Sequence, residues 1–261
     1  MAGTVAQSLA TSPAGTGRID LRANRTIFLV LPAALLFILF FAAPVIMLLA
    51  LAFNPSEVGV VTFSWGDFTL ETFGRFFERP LYWGALVRSI VLSVISAAIA
   101  LLLGYPLAYV VAKERRPGRA NVYMILVLAA MQLDLIIRMY GFMILSLIGV
   151  IQGINPSLEE AARSLGAGTW RTFFTITFPM SMPGVLAGSL LVFAIAAGSY
   201  AVPVLMGGWR VIVVPLHIYQ QVSEVGNWRF GAAIACVLFV VCMAVVFVYH
   251  RYTEKYVGGL V

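Results

Sequence analysis

Few residues in this chain of 261 could carry out catalysis. It contains two histidines, His217 and His250, too far apart in sequence for metal-ligand or catalytic-triad spacing. It also has no glycine-rich loop ending in Lys-Ser or Lys-Thr, so any ATP chemistry would belong to a partner. We therefore expect no catalytic site, no metal site and no cofactor.

One pair of opposite charges lies inside an apolar stretch. Asp134 and Arg138 are four residues apart and so share one face of a helix. Ionisable residues at membrane depth are functional candidates by default, which makes both of them candidate pathway residues. An internal ion pair at the membrane rim is the simpler interpretation of the two.

The composition places these residues in a membrane protein. Hydrophobic residues make up 61% of the chain and charged residues 11%, against about 45–50% and about 25% in soluble domains. The mean hydropathy is +0.97. This excludes an ordinary soluble enzyme and predicts an all-α, polytopic membrane protein. In a membrane protein, the positions of the Lys and Arg residues behind the net charge of +6 indicate the orientation of the chain in the bilayer. We therefore expect no nucleic-acid partner.

Apolar runs define the predicted organisation. Residues 1–26 are predicted to be a cytoplasmic tail, residues 27–250 the transmembrane domain, and residues 251–261 a second cytoplasmic tail. Five apolar segments lie within the domain: Ile27 to Phe53, Ala85 to Ala112, Asn121 to Ile154, Gly184 to Met206 and Phe230 to Tyr249.

The third segment has an awkward length. Its 34 residues are too many for one upright helix and too few for two crossings of about 20 residues each with a turn. If it crosses twice, 11 Lys and Arg residues lie inside and 4 outside, against 9 and 6 for a single crossing. Because cytoplasmic loops are enriched in positive charge, we expect two crossings.

The polar stretch that follows predicts a helix, a turn and a second helix at the cytoplasmic surface. Asn155 is a good N-cap, Pro156 suits the first helical position, and Ser157 with Glu160 fits a capping box. Gly166 would end this helix, since glycine accepts the left-handed conformation of a C-terminal cap. The second helix is predicted around Thr169 to Thr177, running up to Pro179 and Pro183.

The spacing in this stretch resembles the EAA loop of ABC-importer permeases. Glu160, Ala161 and Ala162 are followed by Gly166 and then by Ile176, Phe178 and Pro179, with Phe178 where the family usually has Leu. The chain is also similar to the permeases of spermidine/putrescine importers. The stretches that carry this similarity include GYPLAYVVA at Gly104 to Ala112, IIRMYGF at Ile136 to Phe142, and PMSMPGVLAGSLLVFAIAAGSYAVPVLMGG at Pro179 to Gly208.

The resemblance implies a six-span permease that imports a small organic solute, such as a polyamine or a related compound, through a bacterial inner membrane. It also implies three partners: a cytoplasmic ATP-binding subunit, a second permease subunit and an extracytoplasmic solute-binding protein. The loop at residues 155–183 would couple the permease to the ATPase. The coupling residues are Glu159, Glu160, Ala161, Ala162, Gly166, Ile176 and Pro179.

This chain departs from the family pattern in the third segment. A periplasmic connection and the start of a fourth span normally follow the stretch that resembles IIRMYGF, but here Met143 or Ile144 leads directly into LSLIGVIQGINP. The resemblance therefore implies that a block is missing, either deleted from the protein or left out of the sequence. The third and fourth spans are expected to be shortened.

A second candidate pathway lies at Gly198 to Gly208. Pro203 and the paired glycines are expected to break a span and expose backbone carbonyls, as in transporter binding sites, with Ser199 and Tyr200 beside them. Many relatives have an acidic residue where Ser199 stands, which weakens the case for a polyamine. The alternative function is a self-sufficient secondary transporter or channel. It would need intramembrane charges or an inverted repeat, and Asp134 and Arg138 are the only such charges.

Overall fold

The structure is a computed structural model that describes residues 31–32, 34–55, 57–59, 64, 66–114, 116–130, 135–207 and 210–257. The chain divides into two units, Met1–Leu48 and Leu49–Val261. The first unit holds most of helix α1, Ala34–Ala52. This helix contains one π-helical turn at Ile38–Ala42.

The second unit is built from helices, and no strand occurs in the described part of the chain, as the composition predicted. Its helices are α2 Glu71–Glu78, α3 Pro80–Lys113, α4 Pro117–Ala130, α5 Leu135–Gln152, α6 Pro156–Ser164, α7 Thr169–Met180, α8 Met182–Ala197, α9 Ala201–Gly207, α10 Val214–Tyr219 and α11 Trp228–Val257. The predicted boundary at residue 250 falls inside α11.

Three described helices are long and apolar enough to cross a membrane alone: α1, α3 and the Trp228–Arg251 part of α11. The number rises to five if two bent pairs each count as one span, α5 with α6 and α8 with α7. The described part of helix α4 has 14 residues and is about 21 Å long, against about 30 Å for the hydrocarbon core. The described residues therefore account for up to five of the six spans that the sequence predicted.

Contacts at the two ends of α3 fix the direction of the chain. At the C-terminal end, Lys113 pairs with Glu159 of α6 at 2.7 Å. Near the N-terminal end, the Ser89 hydroxyl accepts a hydrogen bond from the backbone N–H of Val214. The start of α4 and the end of α5 therefore both lie near the C-terminal end of α3. An even number of passes, as the charge distribution predicts, requires this arrangement.

The core lies between α3, α5 and α8, which pack closely because glycines of α3 and α8 face α5. A Cβ atom built on Gly184 would lie 3.1 Å from the Ser146 carbonyl oxygen, and one on Gly104 would lie 3.2 Å from Met143 Cγ. The Ser146 hydroxyl donates to the Gly184 carbonyl at 3.0 Å. Close approach of small residues with interhelical hydrogen bonds is the usual way in which helices associate in lipid.

Candidate functional site

The predicted helix, turn and helix at residues 155–183 are present, and we call this segment the coupling loop. The side chain of Asn155 accepts a hydrogen bond from the Ser157 N–H at 3.0 Å, and Pro156 occupies the first turn of α6. Gly166 follows α6 with φ +84°, a left-handed conformation that costs other residues about 1–2 kcal/mol. Local sequence therefore determines the start of this helix and its turn.

The second helix begins at Thr169, as predicted, and ends between Pro179 and Pro183. It continues past Thr177 and through Pro179 to Met180, because residues Phe173–Thr177 form a π-helical turn that changes the hydrogen-bond register just before the proline. Proline lacks an N–H, so a change of register is one way to accommodate it inside a helix. Helix α8 then leaves α7 at an angle of 63°.

The coupling loop is attached to α3 through Glu159, which is 8% exposed. One oxygen of its carboxylate lies 2.7 Å from Lys113 Nζ and accepts a hydrogen bond from the Thr177 hydroxyl at 2.8 Å. Burial alone would raise the pKa of Glu159. The hydrogen bonds from Lys113 and Thr177, with the positive charges of Lys113 and Arg163, outweigh burial and lower its pKa overall.

The other predicted coupling residues divide between two faces. Glu160, Ala161 and Gly166 are exposed, whereas Ala162, Ile176 and Pro179 are half-buried. Two apolar side chains beside the Gly166 turn are far more exposed, Leu165 at 89% and Trp170 at 77%. The loop therefore has an inner face bound to α3 and an outer face free to contact a partner.

A cavity of about 450 Å³ lies between α3, α5 and the chain that follows α8. Ser199 and Pro203, both predicted pathway residues, line it, together with Ser96 and Tyr140. The Ser199 hydroxyl oxygen is buried and has no hydrogen-bond partner among the described residues. Tyr200 does not line the cavity and instead stacks on Tyr219, with ring centroids 5.2 Å apart.

The helix breaks within the predicted stretch Gly198 to Gly208, but before Pro203. Helix α8 ends at Ala197, and Pro203 lies inside the short helix α9. The break lies at residues 198–200, between these two helices, and Pro203 is accommodated within the second of them. Asp134 lies outside the described residues, and so does the side chain of Arg138.

Sequence reasoning missed three residues that hold the coupling loop: Lys113, Thr177 and Tyr105. The Tyr105 and Ser181 hydroxyls are 2.6 Å apart in a buried contact between α3 and the start of α8. In the sequence, Lys113 is one of the 11 Lys and Arg residues that are predicted to lie inside. Tyr105, Tyr109 and Lys113 follow one another at intervals of four residues, which could have indicated one shared helix face.

Comparison with known families decides what this arrangement belongs to. Residues 72–258 match the family described as binding-protein-dependent transport system inner membrane component. The chain belongs to this family. It is the permease subunit of an ABC importer, a multi-pass inner-membrane protein that works in transport with an ATPase and a binding protein.

Curated relatives agree with this assignment. The chain is 31% identical over 227 residues to the spermidine/putrescine transport system permease protein PotB of Haemophilus influenzae, covering 70% of this chain and 79% of that protein. For PotB of Escherichia coli K12 the identity is 29% over 228 residues, covering 70% and 82%. The molybdenum transport system permease protein ModB of Escherichia coli K12 is 38% identical over 93 residues, or 34% and 39% of the two chains.

The same alignments support the prediction of a missing block. The match to the Haemophilus influenzae protein extends over 227 positions, but 70% of the 261 residues here is only about 183. Roughly forty positions of the relative therefore have no counterpart in this chain. A shortfall of this size agrees with the expectation that a block is missing.

Solved structures share the fold. One is a bacterial ABC transporter involved in the import of the acidic polysaccharide alginate, with a TM-score of 0.67, 15% identity, and coverage of 90% of this chain and 97% of that chain. Another is a bacterial alginate ABC transporter in complex with an alginate pentasaccharide-bound periplasmic protein, with a TM-score of 0.72, 16% identity, and coverage of 90% and 96%.

Proposed function

We propose that the coupling loop docks on the ATP-binding subunit and that the cavity beside Ser199 is part of the cargo path. The observation that carries this proposal is the division of the loop into two faces. Glu159 is buried against α3, while its neighbour Glu160 and the side chains of Leu165 and Trp170 are exposed. An exposed apolar patch on a polar loop is typical of a protein contact.

The residues of the outer face suit such a contact. Leu165 and Trp170 flank the Gly166 turn and offer apolar side chains, and Glu160 offers a charge to a basic partner. Ala161 keeps α6 thin enough for close approach. ATP hydrolysis takes place on the partner in this scheme, and a second permease subunit, identical or homologous, completes the pathway.

For the cargo we propose a small organic solute, a polyamine or a compound related to it. The PotB relatives are permease proteins of spermidine/putrescine transport systems, which supports this class. The polar groups among the described lining residues are hydroxyls, from Ser96, Tyr140 and Ser199. Because a buried ammonium needs a charged or strongly polar partner, such a lining also fits a relative of the polyamines with fewer charges.

The cargo proposal is tested by uptake into cells that express the complete transporter. A panel of putrescine, spermidine and neutral hydroxylated analogues of similar length would be compared for the wild type and for Ser199→Asp. The added carboxylate should raise uptake of the polyamines relative to the neutral compounds, with Ser199→Ala as control. Absence of uptake for every member of the panel would contradict this cargo class.

Gly166 tests the docking proposal. Gly166→Val forces a β-branched side chain into a left-handed conformation and should abolish cargo uptake while the protein stays in the membrane. Gly166→Asn is the matched control, because asparagine tolerates this conformation and should keep most of the uptake. Undiminished uptake by the valine variant would contradict a coupling role for the loop.

A further inference from the structure

One face of α3 touches the coupling loop at three successive levels. Tyr105, Tyr109 and Lys113 are four residues apart and therefore lie along one side of the helix. Tyr105 bonds to Ser181, and Lys113 pairs with Glu159. We call these three α3 residues the strut.

The middle level is aromatic. The ring of Tyr109 meets Phe173 edge to face, with centroids 5.6 Å apart, and Tyr105 meets the same ring at 5.5 Å. Phe173 begins the π-helical turn of α7. Edge-to-face packing has a preferred geometry, so this contact fixes the orientation of α7 as well as its distance from α3.

The lowest level joins both helices of the loop. Glu159 belongs to α6 and Thr177 to α7, and the same carboxylate oxygen binds the Thr177 hydroxyl and Lys113 Nζ. Removing one partner from a buried charged network leaves the others without compensation. Neither α6 nor α7 can therefore move away from α3 without breaking this network.

The contacts of Tyr105 and Lys113 lie on either side of a proline in α3. Pro106 lies inside the helix, where it removes a backbone hydrogen bond and favours bending. Tyr105 precedes it and Lys113 follows it, and both are bound to the coupling loop. The loop therefore braces the C-terminal end of α3 across the proline.

Toward its N-terminus, α3 forms one wall of the cavity with Leu92, Ser96, Ile99 and Ala100. The wall and the strut belong to one continuous helix. We propose that the strut is the connection through which movement of the coupling loop reaches the cavity wall. Tyr105, Tyr109 and Lys113 are positioning residues in this scheme, which rests on the proposed docking of the loop on the ATPase.

The test asks whether the cavity responds to nucleotide. Ser199→Cys places a thiol in the cavity, in a background where Cys236 and Cys242 are Ala. The transporter is reconstituted with its ATPase and partner permease, and the rate of maleimide labelling is measured without nucleotide and with ATP and vanadate. With the strut intact, trapping the ATPase should change this rate at least fivefold.

Charge exchange then probes the strut. Lys113→Glu or Glu159→Lys alone should remove the nucleotide-dependent change in labelling while basal ATPase activity persists. The double variant, which restores an ion pair of opposite polarity, should recover at least half of the change. Glu114→Gln, which removes a charge at the next position, is the control and should behave as the wild type.

Each outcome decides something. If the unmodified strut shows no nucleotide-dependent change, the proposed cavity and docking fail. The strut is wrong if the single exchanges show the same nucleotide-dependent change in labelling as the unmodified strut. It is also wrong if the double variant recovers no more of that change than the single exchanges. Should the exchanges fail to assemble, Thr177→Val and Tyr105→Phe each remove one hydroxyl without a change of charge. A reduced response in both supports the strut, and a full response in both overturns it.

Discussion

The two adjacent glutamates of the coupling loop have different environments. Neighbouring positions on an α-helix point about 100° apart, so a helix that rests on α3 buries one of them and exposes the other. Glu159 is the buried one because Lys113 and Thr177 converge on its carboxylate. The sequence shows two equivalent carboxylates, and only the position of Lys113 in space distinguishes them.

The N-cap of α6 gives a prediction at this scale. Asn155→Ala removes the acceptor for the Ser157 N–H and should cost the helix about 1 kcal/mol. Such a loss corresponds to a roughly fivefold rise in amide hydrogen exchange across α6. Asn155→Asp keeps an acceptor oxygen and should exchange at the wild-type rate. Equal exchange in the alanine variant would mean that the cap does not limit helix opening.

The buried carboxylate gives a prediction about pH. Because the pKa of Glu159 is lowered in the folded protein, its contribution to stability is fully present above its ordinary value of 4.5. That contribution is lost as the pH falls through the lowered folded-state pKa. Protection of the loop amides should therefore decline below about pH 4.5 in the wild type, after correction for intrinsic exchange.

Glu159→Gln is the matched control for this experiment, since the amide does not titrate in that range. Its loop should be less protected at neutral pH and should show a smaller decline on acidification. If both proteins lose protection in parallel, another group controls the acid transition.

At the scale of helices, the packing of α8 on α5 depends on the absence of a side chain at Gly184. A Cβ atom there would lie 3.1 Å from the Ser146 carbonyl oxygen and 3.1 Å from Val150 Cβ. A backbone neighbour cannot move aside as a flexible side chain can. The sequence marks this position only as one glycine among 23.

Gly184→Val should therefore separate α5 from α8 and destabilise the protein by about 1–3 kcal/mol, as overpacked cores do. The midpoint of thermal unfolding in detergent is the measurement. Gly149→Ala on α5 is the control, because a Cβ atom there meets nothing within 4 Å. It should be neutral or slightly stabilising, since alanine is the better helix former. A wild-type midpoint for Gly184→Val would exclude the close approach.

The positions of helix breaks show how far local signals go. The caps at Asn155 and Gly166 depend on contacts within a few residues and were predicted correctly. Pro203 was expected to break a helix, yet it lies inside one, and so does Pro179. A helix in a membrane protein can contain a proline that would break an isolated helix, because neighbouring helices bind the backbone groups that the proline leaves unpaired.

For the whole molecule, the predicted orientation and the short third helix can be tested together. Single cysteines at Gly118 and Ser157 should react with an impermeant thiol reagent only in inside-out vesicles, and one at Ser223 only in right-side-out vesicles. Ala129 lies about 18 Å along α4 from Pro117, so a cysteine there should react from neither side.

The background for these variants lacks Cys236 and Cys242, and the unsubstituted background measures non-specific labelling. Labelling of Ala129→Cys from the outside would show that α4 completes a crossing. Opposite labelling of Gly118→Cys and Ser157→Cys would mean that the segment between them crosses only once.

The sequence by itself determined that this chain is a helical membrane protein and where the coupling loop begins and turns, and its charges predict on which side the basic loops lie. These properties follow from composition, charge and short-range capping, which act within one helical turn or one loop. Tertiary structure alone decided which glutamate is buried, which residues enclose the cavity and how α3 is tied to the loop. Those contacts join residues far apart in the chain, and they depend on the rotation and approach of whole helices, which no local pattern encodes.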